Sequence, residues 1–233
     1  MQDTNSIYGL LKESAEKYAG KTAVLYDTFA GSYEKLFQDV TNKAIHLQHF
    51  EGKRVALYGP SSYRWIVNLF GIILAGKDVV LVDSFLPHKE RESLLEKVGV
   101  DYILSSTNQY ILADSHAIMI PGAEKDDVEG EYNPQTPEGN VLVFTATDKE
   151  SDKAVVLTTQ NLMYTVNAMN HHCYCSEHDR VLAQTMLFLF SDWFTVCCGR
   201  WQTARVYVSD VDCVILMLKP IITRQRFCRV HRR

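Results

Sequence analysis

Between residues 7 and 183 the chain switches repeatedly between two apolar rhythms, and that alternation limits its fold more than any single residue does. Residues 7–18 place Leu10, Leu11, Ala15 and Tyr18 at the three-to-four spacing of one helix face. Residues 22–26 form a short apolar run of strand length. Ser32 precedes a second helical stretch, 34–50, with Leu36, Val40, Ala44 and Leu47 on one side. A serine there can accept from the free amides of the first turn. Residues 53–58 read as a strand ended by Gly59-Pro60, and 63–75 as an apolar helix opened by Ser61 and Ser62 and stopped by Gly76. Strand 78–82, helix 88–98 after Pro87, and strand 102–104 continue the pattern. Residues 121–139, acidic and rich in proline and glycine, read as a surface linker. Strands 140–145 and 154–157, helix 159–169 and strand 179–183 follow. Alternating strands and helices of these lengths predict an α/β fold with a mainly parallel sheet flanked by helices.

Bulk properties exclude several classes. A net charge of −4 gives no electrostatic footprint for nucleic acid or an anionic membrane. The longest apolar run, 65–76, is interrupted by Asn68 and is too short to span a bilayer. No basic-then-apolar leader precedes Ile7, so the expected location is cytoplasmic. The averages conceal a break after residue 184. Residues 1–184 carry 16 Lys/Arg against 25 Asp/Glu, whereas 185–233 carry 8 against 3 and hold four of the six cysteines. The expected organisation is therefore an α/β subdomain over 1–184 and an aberrant, irregular tail over 185–233.

The stretch from Phe144 to Leu162 carries the chemistry. Two predicted strands are joined there by a loop bearing hydroxyls and lysines, and a helix follows. Hydroxyls and backbone amides in such a turn can hold phosphate oxygens, with a lysine opposing their charge. The plainer reading is an exposed polar hairpin whose charges are solvated.

That stretch resembles the phosphate-binding signature of the adenylate-forming (AMP-binding) superfamily, T-S-G-T-T-G-x-P-K-G-V followed by a short strand and H-x-N-L. Laid on without gaps, its first threonine falls on Thr145, its lysine on Lys153 and its Asn-Leu on Asn161-Leu162. Upstream motifs occur in the family's order: Ser32-Tyr-Glu-Lys-Leu36, Gly52-Lys-Arg-Val-Ala56, Ala75-Gly76 and Pro87-His-Lys-Glu-Arg91. The resemblance covers roughly residues 5–184 and looks like an N-terminal fragment of an acyl-CoA synthetase-like ligase. It implies phosphate contacts from Thr145, Ala146, Thr147, Asp148, Lys149 and Lys153. It also implies ATP and Mg²⁺, a small-molecule carboxylate substrate, and CoA as co-substrate of the complete enzyme. The family's later tyrosine-glycine-x-threonine-glutamate motif, ribose-binding aspartate and C-terminal lysine domain have no counterpart in the 233 residues, so the chain alone is expected to be inactive.

The departures are specific. Thr147 and Glu150 stand where the signature has glycines, Asp152 where it has proline, and Thr159 where it has histidine. Glycine lets backbone approach a phosphate closely, and Asp148, Glu150 and Asp152 add repulsion that Lys149 and Lys153 offset in part. In the tail, the genetic code forces leucine at the shifted junctions of Asp192 with Trp193 and Cys197 with Cys198, and valine at that of Trp193 with Phe194. The expectation is a frameshift between about Gln184 and Ser191. His171, His172, Cys173, Cys175 and His178 include zinc-ligand types. A helix end with small polar residues explains them more simply, and no metal site is assigned.

Overall fold

The computed structural model describes residues 5–26, 29–83, 86–107, 118–120, 130–145, 153–172, 180–183 and 205–208. The elements run α1 (Ile7–Tyr18), β1 (Thr22–Tyr26), β2 (Phe29–Ser32), α2 (Tyr33–Gln48), β3 (Arg54–Tyr58), α3 (Tyr63–Leu74), β4 (Asp78–Leu81), α4 (His88–Val98), β5 (Tyr102–Ser105), β6 (Ile118–Ile120), β7 (Val141–Thr145), β8 (Lys153–Leu157), α5 (Thr159–His172), β9 (Arg180–Ala183) and β10 (Arg205–Val208). The strands form two sheets. One has the order β2-β1-β10-β9 and the other β6-β5-β3-β4-β7-β8. All pairings are parallel except β1 with β2 and β7 with β8. The α/β class with a mainly parallel sheet therefore holds, divided between two sheets.

Capping sets the helix starts. Ser6, Ser32 and Ser62 each accept from the backbone amide three residues on, at Gly9, Lys35 and Trp65. Helix α3 is buried from Trp65 to Leu74 and packs against α2, β1, β3 and β4. It therefore touches strands of both sheets, and a helix covered on every side must be apolar on every side. In the six-stranded sheet Val55 and Leu57 face this core, while Ala56 and Tyr58 face a second cluster with Val80, Ile103, Leu142 and Leu95 of α4. Burial of both faces is what parallel β-strands require, and each Val or Leu so covered contributes about 2 kcal/mol.

Three findings depart from the sequence reading. Strands β2, β6 and β10 were not expected, and β10 places Arg205–Val208 between β1 and β9 within the tail. The rest of 185–233 lies outside the described residues. The stretch 121–139 is more than a linker. Residues 130–139 are described, and in them Tyr132 is buried with its Oη donating to the Leu74 carbonyl at 2.9 Å. Burial pushes that phenol's pKa upward. Glu138 accepts from the Ile7 and Tyr8 amides at 3.1 and 2.7 Å, capping α1 from 130 residues away.

Candidate functional site

Strands β7 and β8 pair in strict antiparallel register from Val141 with Leu157 to Thr145 with Lys153. The last described backbone pair of this hairpin is Thr145 with Lys153. Strand β7 also pairs in parallel with β4, Val79 opposite Val141. This puts the Thr145–Lys153 pair at the carboxyl end of a parallel sheet, where open α/β sheets place ligands. Of the residues assigned to phosphate contact, the fold brings Thr145 and Lys153 together. Ala146, Thr147, Asp148 and Lys149 lie outside the described residues. Thr159 begins α5 at the opposite end of the sheet, where its Oγ1 donates to the Gly139 carbonyl at 3.2 Å. Of the zinc-type residues, His171 and His172 end α5, and Cys173, Cys175 and His178 lie outside the described residues.

The same rim carries further polar groups. Strand β3 ends at Tyr58, followed by Gly59 at φ +116°. A Cβ on Gly59 would lie 2.4 Å from Ser106 Oγ, so the close approach of the β3 and β5 ends requires glycine. Ser106 Oγ donates to the Pro60 carbonyl at 2.9 Å, and Asn68 Nδ2 donates to the Ser105 carbonyl at 3.4 Å. Arg91 is 4% exposed, lies over the Tyr58 ring at 4.8 Å, and donates through Nη1 to Tyr58 Oη at 3.1 Å and the Leu86 carbonyl at 3.4 Å.

Among the described residues, four buried side-chain atoms make no hydrogen bond: Trp65 Nε1, Asn68 Oδ1, Arg91 Nε and Glu92 Oε1. All four belong to the first two turns of α3 and α4, the helices that start from this rim. Buried polar atoms are nearly always paired, and exceptions concentrate where function is built. The sequence pattern singled out Pro87 and Arg91 as a family motif but gave no role to Tyr58, Asn68 or Ser106. Their position just beyond successive parallel strands was the signal available.

The opposite rim is closed by comparison. A groove of about 520 Å³ lies there, lined by Ser6, Tyr8, Thr136, Glu138, Asn140 and Thr158 among others. The helix starts beside it are already capped. Glu138 and Ser6 serve α1, and Asn161 Oδ1 accepts from the Thr158 amide and hydroxyl at the start of α5.

Residues 11–149 match the AMP-binding enzyme family. The chain belongs to that family. Over 216 aligned residues this member of the AMP-binding enzyme family is 26% identical to bacitracin synthase 2 of Bacillus licheniformis, covering 87% of the chain and 8% of that protein. It is 24% identical to the polyketide synthase PksN of Bacillus subtilis, covering 77% of the chain and 4% of that protein. Among solved structures it is similar to o-succinylbenzoate CoA synthetase (MenE) from Bacillus subtilis in complex with the acyl-adenylate intermediate OSB-AMP. The TM-score is 0.76 at 18% identity, covering 88% of this chain and 56% of that one. The Klebsiella oxytoca NpsA N-terminal subdomain in complex with 3-hydroxyanthranilyl-AMSN gives 0.76 at 16% identity, covering 91% and 56%. The chain spans about half the length of these solved relatives and under a tenth of the curated ones.

Proposed function

We propose that this chain is the phosphate-loop-bearing part of an adenylate-forming ligase, gripping the phosphates of ATP between Thr145 and Lys153 while a carboxylate is activated. The observation that supports this most directly is the hairpin closed by Thr145 and Lys153 at the carboxyl rim, in a chain of the AMP-binding family. In the complete reaction the carboxylate oxygen attacks the α-phosphorus of ATP, forming an acyl-adenylate and releasing pyrophosphate. Transfer of the acyl group to the thiol of CoA would then give a thioester and release AMP. Backbone amides and Lys153 would neutralise charge on the triphosphate. Mg²⁺, which the family resemblance implies, would be held chiefly by the triphosphate oxygens and arrive with the nucleotide.

Titration of labelled ATP against the full chain and Lys153→Ala tests the binding. The expected result is saturable binding weakened by about tenfold in the variant, the loss of one charge-assisted contact. Equal affinities, or none with either protein, would overturn it. ATP–pyrophosphate exchange by the 233 residues alone is expected to be absent.

Asp148, Glu150 and Asp152 favour a second reading, a non-enzymatic module that binds a nucleotide or partner through the same sheet. Nucleotide affinity without exchange, persisting when the remaining part of the family fold is supplied, would support that module over the ligase.

A further inference from the structure

We infer that the carboxyl rim holds a second oxyanion-binding point, built from the guanidinium of Arg91 at the start of α4 and separate from the loop between Thr145 and Lys153. An arginine presents two edges to planar or tetrahedral oxyanions, and the edge formed by Nε and Nη2 takes a carboxylate or phosphate in a two-point grip. In this fold Nη1 is the nitrogen that is used, by Tyr58 Oη and the Leu86 carbonyl. Those two bonds and the Tyr58 ring beneath the guanidinium fix its plane. Nε is buried and unbonded, and no described carboxylate pairs with the group. A cation 4% exposed whose buried Nε has no acceptor is costly unless something anionic meets it.

The start of α4 adds a second cause. Its N-cap is Pro87, which makes no side-chain capping bond, whereas α1, α2 and α3 are each capped by serine. The guanidinium folds back onto this end, because its Nη1 reaches Leu86, the residue before the cap. First-turn amides that receive no bond from the cap side chain, and the positive end of an 11-residue helix, favour an anion there. Charges on the first turn offset one another, with Lys89 and Glu90 both exposed.

Tyr58 ends β3, two strands from β7 in the sheet order, so the Arg91 point and the Thr145–Lys153 hairpin lie roughly 10 Å apart along one rim at the usual strand spacing. The ligand class is an oxyanion, either phosphate or carboxylate.

Proton–nitrogen spectra of the Arg91 Nε–H group in the full chain test the site, with sodium phosphate, sodium acetate and sodium chloride as probes. A saturable shift with phosphate alone assigns a phosphate point, and one with acetate alone assigns a carboxylate point. The Arg91 signal is assigned by its loss in Arg91→Lys, whose affinity for the same anion, read by isothermal calorimetry beside the wild type, is expected to be about tenfold weaker because lysine lacks the two-point edge. Tyr58→Phe keeps the stacked ring and is expected to retain binding at reduced affinity. An Nε–H signal that stays fixed in all three titrations, or moves equally with chloride, overturns the proposal. Binding unchanged in Arg91→Lys overturns it as well. The wild-type titration stands by itself if either variant fails to fold.

Discussion

The two ends of the six-stranded sheet are made from the same strands but are finished differently. At the amino end the described turns before β3, β4, β5 and β7 are cross-linked. Asp101 Oδ2 accepts from the Lys53 and Arg54 amides at 2.7 and 2.8 Å, and Asp78 Oδ1 accepts from the Asn140 amide and side chain at 3.0 and 2.8 Å. Lys77 Nζ donates to the Phe50 and Gly52 carbonyls, both at 2.7 Å, and burial lowers its pKa. At the carboxyl end lie the four unbonded buried atoms and the Thr145–Lys153 pair. One rim is finished for stability. The other carries buried polar atoms that no described protein group meets, a pattern shared by sites that receive ligands.

The largest expected effect lies on the amino rim. A Cβ on Gly139 would fall 1.8 Å from the Lys77 carbonyl oxygen, a backbone atom that cannot swing aside. Gly139→Ala should cost about 3 kcal/mol or more, read as a lower urea midpoint. Wild-type stability in that variant would mean the rim is looser than its contacts indicate. A smaller effect of opposite sign is expected on the other rim. Asn68→Leu keeps the shape, removes the orphaned Oδ1 and gives up only a long bond to Ser105. It should raise stability by about 1 kcal/mol. Destabilisation instead would show that Asn68 is satisfied in solution, and would shrink the difference between the rims.

Much of this fold was legible because its signals are local. The serines before α2 and α3, the helical spacing of Leu36, Val40, Ala44 and Leu47, and glycine after α3 lie within a few residues of what they control, whereas the Ser6 cap of α1 was not read. The bounds of α4 agree to the residue for the same reason. Strand β2 was missed because Phe29 and Ala30 are exposed and show no alternation, and β6 because three residues carry no period. Glu138 reads as one more acidic linker residue until the chain returns to α1, a contact spanning more than 120 positions. The hairpin was legible from the strand–loop–strand pattern and the family resemblance together. The unsatisfied rim was not, because whether Arg91 lacks an acceptor depends on three elements meeting at Tyr58 and Leu86.

The smallest effect separates charge from shape on the amino rim. The Arg54 amide first, and then that of Lys53, hold the Asp101 carboxyl below its usual pKa of 3.8, against an opposing contribution from burial. A carboxyl whose folded pKa lies below its unfolded one binds fewer protons in the native state. Its contribution is complete above the unfolded value and is lost as the pH falls through the folded one. Asp101 is exposed, so solvent screening keeps the effect small, at about 0.5 kcal/mol. Both amides meet a single oxygen, which the side-chain oxygen of Asp101→Asn can replace, so the variant removes the charge and keeps the acceptor. Chemical unfolding at a series of pH values should show the variant weaker by that amount near neutrality. The gap should close as the wild-type carboxyl protonates below the ordinary carboxylate range. A gap that persists unchanged into acid would assign the role of Asp101 to shape alone. The amino rim would then owe its stability to packed glycines and neutral hydrogen bonds.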